Sequence, residues 1–269
     1  MLSGLGDLWR HRTLVAVLTA RELKARYRGS VLGFLWSLLN PLLMLAVYAT
    51  VFGLLLPNRS PATSPYALFL FCGLLAWSWL SSSLTDAAAS LLTNGALLKK
   101  ILFPAEVLPV VSVLAQGVHF LLALPVLLAG LLLGAAGVFG GKVALGLPLV
   151  QVPLLLAVQG VFALGLGLFL AALTVHFRDV RDLLGTLLSL WFFASPVLYD
   201  LRDLSGSRVG RLLAYNPAAP LFSAWHDALF YGRWVAPGTW ATLLALSAAV
   251  FAAGWLFFDR LRDTFAEAV

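Results

Sequence analysis

Residues 20–43, ARELKARYRGSVLGFLWSLLNPLL, decide the fold. The first half is dense in charge: Arg21, Glu22, Lys24, Arg26 and Arg28, with Tyr27 among them. From Gly33 onward the chain carries no Asp, Glu, Lys or Arg until Arg59 and includes Trp36 and the pair Asn40-Pro41. A charged amphipathic helix running straight into an uncharged apolar stretch belongs at a lipid boundary. The apolar face of such a helix lies in the interface plane and its Arg and Lys reach the headgroup phosphates.

Composition supports this. The chain has 269 residues, 61% hydrophobic and 11% charged. A soluble domain carries about 25% charged residues, so there is too little polar surface here to cover a water-soluble globule. The net charge of +6 has no basic soluble face to sit on, which excludes a nucleic-acid binder. The single cysteine, Cys72, excludes an intrachain disulfide and reads as a small buried hydrophobe. Residues 1–30 intersperse Asp7, Arg10, Arg12, Arg21 and Glu22. A removable signal peptide would place an apolar core directly after a short basic region, so this segment is expected to be retained.

A membrane-spanning helix needs about 20 mostly apolar residues. Six stretches qualify or come close: residues 33–56, 66–84, 107–134, 146–175, 183–199 and 236–258. The expected fold is therefore an all-α membrane protein. Residues 1–32 form a cytoplasmic or interfacial segment, 33–258 a six-helix membrane domain and 259–269 a cytoplasmic tail. An even number of spans puts both termini on one side. Twelve Lys and Arg fall in the segments on that side and six in the alternate set, which includes Arg59 and Lys142. The excess of positive charge in cytoplasmic segments then places both termini inside.

The connection between the fifth and sixth spans is unusual. Residues 195–232, SPVLYDLRDLSGSRVGRLLAYNPAAPLFSAWHDALFYG, contain helix-breaking Pro and Gly. Yet AAPLFSAWHDALF (residues 218–230) is too apolar for a free loop. Short helices re-entering the outer leaflet fit better, provided their backbone is buried in protein. No internal repeat is evident, so an inverted-repeat secondary transporter has no support.

Several features are candidates for function, each with a plain structural alternative. The basic helix is either an anchor or a substrate-facing element. NGALLKKILFPAEVLP (residues 94–109) places Leu97, Leu98, Ile101 and Leu102 on one side of a short helix with Lys99 and Lys100. Glu106 opens the next helix, where a carboxylate favours the positive dipole end. The segment is either a docking helix or a connector. HFRDVRD (residues 176–182) is a second docking point or a salt-bridged turn in which Asp179 could cap the next helix. Trp36, Tyr48, Phe52, Trp77, Trp79 and Trp191 are belt or core aromatics, or rings offering flat faces to a sugar in transit. His119 is an intramembrane ionisable residue with no carboxylate on its own span.

The sequence lacks G-x-x-x-x-G-K-[ST]; its one Gly-Lys, Gly141-Lys142, is followed by Val143. The chain therefore cannot hold ATP through a P-loop. It also lacks H-E-x-x-H, and no metal site is expected. The expected deep parts of the spans carry no acidic residue, which counts against proton- or sodium-driven transport and against intramembrane hydrolysis.

Taken in order, RELKARYRGSVLGFLWSLLNPLL, YALFLFCGLLAWSWLSSSL, NGALLKKILFPAEVLPVVSVLA, FRDVRDLLGTLLSLWFFASPVLY and YNPAAPLFSAWHDALF resemble the permease subunits of ABC transporters that export lipid-linked polysaccharide (O-antigen, capsule or teichoic acid). The resemblance covers nearly the whole chain. It implies a homodimer bound to two P-loop ATPase subunits on the cytoplasmic face, with ATP and Mg in those subunits and no cofactor on this chain.

The resemblance further implies that Asn94, Leu97, Lys99, Lys100, Phe103 and Glu106 contact the ATPase, together with Phe177, Arg178, Asp179, Arg181 and Asp182. Arg21, Lys24, Arg26, Tyr27 and Arg28 would guard the lipid-headgroup entrance. The aromatics named above would line the channel. Pro196, Tyr199, Asn216 and Pro217 would belong to an outer gate. The family usually has a basic residue where this chain has Ala105; Lys99 or Lys100 would have to replace it. Two alternatives remain: a related ABC permease exporting a drug or other small hydrophobic substrate, and a membrane-embedded enzyme acting on lipid-linked sugars.

Overall fold

Apolar runs rich in Leu, Ala, Val and Gly have one way to satisfy their backbone in lipid, which is to bond it within a helix. The computed structural model follows this rule and describes residues 10–26, 28–30, 32–52, 61–99, 103–139 and 143–265; all elements below lie among these. The helices are α1 (Arg12–Arg26), α2 (Trp36–Thr50), α3 (Tyr66–Thr93), α4 (Gly95–Leu98), α5 (Val107–Ala135), α6 (Val152–His176), α7 (Asp179–Ala194), α8 (Arg208–Ala214), α9 (Ala219–Leu229) and α10 (Pro237–Leu261). Tyr27, Lys100, Ile101, Leu102, Arg59 and Lys142 lie outside the described residues.

Four helical stretches are long and apolar enough to cross a membrane: Tyr66–Thr93, Val107–Ala135, Leu147–His176 and Pro237–Thr264. The third includes the single-turn entry Leu147–Gln151. α2 and α7 are shorter, at 15 and 16 residues. α3 runs nine residues past the expected end at 84, because Ser, Ala and Leu continue an unbroken helical pattern to Asn94. That extension carries Asp86 into the bundle.

α3 is the axis. Phe69, Leu80, Leu84 and Leu91 are fully buried along it, and α5, α6, α7 and α9 pack around it. Lipid tails are as apolar as leucine, so helices in a membrane gain their association from close packing, not from escape from water. The α6–α10 crossing shows this. A Cβ added to Gly165 would lie 2.6 Å from the Phe251 Cα, and one on Gly254 would overlap the Gly165 carbonyl oxygen. Only hydrogen fits at either position.

α9 is short but belongs to the interior. Leu221, Phe222, Trp225, His226 and Leu229 are all buried. Trp225 donates its indole N–H to Gln159 Oε1 on α6 (2.6 Å), and Gln159 Nε2 donates to the Ala76 carbonyl on α3 (2.8 Å). Ala76 is ten residues inside α3, about 15 Å from its start at the helical rise per residue. α9 therefore reaches roughly a third of the way along α3. It ends where Gly232, at φ +57°, turns the chain so closely against Ala144 that no side chain fits.

Candidate functional site

Three regions gather the residues named from the sequence. The first lies at the end of the bundle where α3 and α6 terminate and α5 begins. Leu91, Leu98, Ala105, Leu108, Val175, Trp255, Phe258 and Phe265 form a hydrophobic cluster there, with Leu97 and Phe103 packed against it. α4 is only four residues long. Lys99 is exposed, while Asn94 Nδ2 donates back to the Ser90 carbonyl. Glu106 is buried, and its Oε2 has no hydrogen-bond partner among the described residues.

The turn after α6 projects from the same end. Phe177 is 63% exposed, and Arg178, Asp179, Arg181 and Asp182 are exposed beside it. His176 ties this turn to the C-terminal segment, its Nε2 lying 3.1 Å from Thr264 Oγ1. The expected Asp179 cap is not formed. Arg178 occupies the cap position without a side-chain bond and Asp179 is already helical, so Asp179 and Asp182 act on α7 only through the favourable end of its dipole.

The second region is a cavity of about 500 Å³ between α1, α2, α3 and α5. Trp36, Tyr48 and Trp79 line it, as three of the six named aromatics. At its polar end Arg26 reaches both Asp86 Oδ2 and Gln116 Oε1, each at 3.4 Å, and Gln116 Nε2 donates to Asp86 Oδ2. His119 lines the same cavity from α5, one turn beyond Gln116. Arg21, Lys24 and Arg28 are exposed on or beside α1. The half-buried side of α1, with Leu14, Val15 and Leu18, packs against α5.

The remaining aromatics sit higher. Phe52 meets Tyr66 edge-on at 4.9 Å. Trp77 packs edge-on against Trp191 at 5.9 Å.

The third region is at the opposite end, between α7 and α10. Asn216 is its hub. Asn216 Oδ1 accepts from Trp191 Nε1 (2.8 Å) and from the Ala218 N–H (3.0 Å), and Nδ2 donates to the Ala194 carbonyl and to Ser195 Oγ. One amide thus joins the end of α7 to the start of α9. Tyr199 donates to the Phe193 carbonyl (3.3 Å), Pro196 is buried and Pro217 is exposed.

Beside this hub lies an ionic network that spacing did not announce. Arg202 pairs with Asp200 (2.9 Å) and with Asp227 (3.0 Å), the second contact lying outside hydrogen-bond angles. Tyr231 donates to Asp200 Oδ2 (2.7 Å), and the Arg202 guanidinium stands 4.5 Å over the Tyr231 ring. Burial alone would raise the Asp200 carboxyl, but the bonds from Arg202 and Tyr231 outweigh it and hold the group below the ordinary carboxylate range. At Asp227 burial wins over the Arg202 charge and the carboxyl is raised.

The model of the ABC-2 type transporter family matches residues 13–230, through all three regions. This chain belongs to that family. Individual relatives agree end to end. An O-antigen export system permease protein RfbA of Myxococcus xanthus is 35% identical over 265 residues, covering 98% of each chain. Two proteins of the same name from Klebsiella pneumoniae are 32% and 31% identical over 94% of each chain. As an ABC-2 type membrane protein this chain is a transport component, and the membrane-enzyme alternative has no remaining support.

Sequence reading missed Asp86, Gln116, Gln159 and the Asp200–Arg202–Asp227–Tyr231 network. A polar residue at one point on an apolar helix is the one signal that marked the first three.

Proposed function

We propose that this chain is the permease subunit of an ABC exporter that carries lipid-linked polysaccharide across the bacterial cytoplasmic membrane. ATP hydrolysis, with its Mg, resides in a separate pair of P-loop subunits. The end-to-end similarity to proteins named as O-antigen export permeases carries this reading. O-antigen-type glycan is the first choice of cargo; teichoic acid and capsule have the same lipid-linked chemistry.

Within that reading the chain acts as a homodimer with both termini cytoplasmic, as the Lys and Arg distribution favours. α2 and α7 serve as the first and fifth of six spans. α9 is re-entrant, a role its burial against Gln159 and Phe69 supports. The ATPase docks on the end formed by Asn94–Lys99, Phe103, Glu106 and the Phe177–Asp182 turn. Exposure of Phe177 and the four charges after it fits a surface that a partner covers. Arg21, Lys24, Arg26 and Arg28 collect the anionic headgroup. Trp36, Tyr48, Phe52, Trp77, Trp79 and Trp191 face or support the sugar path. The Asn216 hub, with Pro196, Tyr199 and Pro217, closes its outer end.

The test is charge reversal at the turn, Arg178→Glu and Asp179→Arg, in the chain co-expressed with its ATPase. Substrate-stimulated ATP hydrolysis and surface polysaccharide should both fall while the purified protein stays folded. Normal stimulation in both variants would exclude the turn from docking. Normal surface polysaccharide in a deletion of the chain would exclude polysaccharide export and leave the drug-exporting alternative.

A further inference from the structure

α8 stands between the Asp200 network and the Asn216 hub. Its seven residues are too few for a helix to persist alone, so its neighbours hold it. It packs on the Leu201–Leu204 turn and against α9. Ser207 caps it: Ser207 Oγ accepts the Gly210 N–H (2.8 Å) and donates to the Leu204 carbonyl (2.9 Å). Gly210 is buried so closely on that turn that a Cβ would overlap the Leu204 carbonyl oxygen. At the other end Tyr215 runs directly into Asn216 and its four hydrogen bonds. α8 is thus fixed on one side and at both ends, and its other side faces outward.

That outward side mixes two kinds of residue. Taken round the axis at about 3.6 residues per turn, the arc runs Arg211, Tyr215, Arg208, Leu212, Val209, with Gly210 across from it. Val209 is 60% exposed, Leu212 72% and Tyr215 87%. Arg208 and Arg211 are exposed, and neither makes an ion pair among the described residues. Water suits the two Arg and not Leu212 or Val209; hydrocarbon suits the reverse. Only a lipid–water boundary takes both, and this side-by-side pattern is that of a helix lying in such a boundary. Tyr215, and the exposed Trp234 just before α10, are the ring types that settle at that level. A second copy meeting this arc symmetrically would set the same Arg pair against itself. An anionic headgroup surface complements it.

We propose that α8 docks on the anionic phospholipid surface of the outer leaflet, with Arg208 and Arg211 on headgroup phosphates and Val209 and Leu212 at the acyl boundary. The occupant is bulk anionic phospholipid, not the exported cargo. Charge selects it: each guanidinium fork matches a phosphate bidentately, and a net negative surface draws basic side chains beyond what a neutral one does. Because α8 continues straight into the Asn216 hub, the lipid surface bears on the closure at this end of the bundle. From the permease reading the proposal takes the assignment of this end to the outer side.

The test uses the full chain with Leu212→Cys carrying an environment-sensitive fluorophore; the native Cys72 is buried. The protein is placed in nanodiscs of dioleoyl phosphatidylcholine, alone or mixed equally with dioleoyl phosphatidylglycerol. In the mixed discs, quenching by acrylamide, a neutral agent, should be about fivefold weaker than in phosphatidylcholine. Lipid spin-labelled near its headgroup should quench the emission there. The difference should shrink at high salt. Arg208→Gln with Arg211→Gln should remove it, and Arg208→Lys with Arg211→Lys should keep it. Val209→Cys repeats the measurement from the adjoining turn, which covers the case of a misfolded Leu212 variant.

Equal acrylamide quenching in the two lipid compositions overturns the proposal, and so does a phosphatidylglycerol effect that survives the two Arg→Gln changes. A label shielded in both compositions, with unlabelled Leu212→Cys protomers joining through a disulfide, gives the face to a second copy instead. The two leaflets of a nanodisc share one composition, so these results do not depend on which end is outer or on what is carried. Surface polysaccharide restored by the wild-type chain in a deletion strain is scored separately. Restoration without a lipid response overturns the α8 proposal alone, and failure to restore with the lipid response intact overturns the permease reading alone.

Discussion

The indole nitrogen of Trp225 lies 2.6 Å from Gln159 Oε1, and the same Gln159 side chain donates to the Ala76 carbonyl. A single amide therefore joins α9 to two long helices, in a place where all three partners are buried.

Gln159→Leu should destabilise the chain more than the lost area would indicate, because it strands a buried indole N–H. The expected cost is about 1–3 kcal/mol. Thermal unfolding in detergent, followed by tryptophan fluorescence, measures it. Trp225→Phe combined with Gln159→Leu should recover part of the loss, since no donor is then left unpaired. A double variant as unstable as the two single losses added together would show that the bond contributes nothing of its own.

At the α6–α10 crossing, Gly254→Leu should separate the two helices or prevent their packing altogether. Overpacking a tight contact costs typically about 1–3 kcal/mol, and here the obstacle is backbone at Gly165, which has no rotamer with which to yield. The readout is the yield of monodisperse protein on size exclusion. Gly185→Leu, on α7, is the control: no atom lies within 4 Å of the position of its Cβ, and its yield should match the wild type.

The Asp200 network predicts a pH dependence. The folded value of Asp200 is depressed, so its stabilisation is complete above the ordinary carboxylate value of about 3.9 and fades as pH falls through the folded value. Asp227 is raised by burial and acts in the opposite sense: its ionisation weakens the fold as pH rises from the ordinary value through the raised one. Asp200→Asn should therefore lower the thermal midpoint at neutral pH and flatten its decline below pH of about 4. An unchanged slope in that acid range would remove Asp200 from the account.

Phe177→Ala should leave stability within about 0.5 kcal/mol of the wild type, as expected for an exposed site, because the ring is 63% exposed. Stimulated ATP hydrolysis by the co-purified complex should fall. A large drop in thermal midpoint with normal hydrolysis would reverse this assignment.

The long helices were legible because an apolar run in lipid has no other structure available to it: Val107–Ala135 ends one residue past the expected 134, and Pro237–Leu261 starts one residue after the expected 236 and runs three past 258. The interior placement of α9 could be anticipated too, since Leu221, Phe222, Trp225 and Leu229 had no business in water. Asp86 was not legible as a bundle residue. Ser, Thr and Ala around it blur the boundary between span and loop, and its partners Arg26 and Gln116 stand 60 and 30 residues away. The Asp179 cap failed for a local reason: the helix begins one residue too early for that side chain to reach its own N–H groups.

The His176–Thr264 contact has a practical side. It fastens the Arg262–Thr264 turn to the base of the Phe177–Asp182 projection, and Phe265 packs beneath both in one cluster with Val175. A fluorophore placed at Thr264 would thus report on the turn's environment without touching any of its charges.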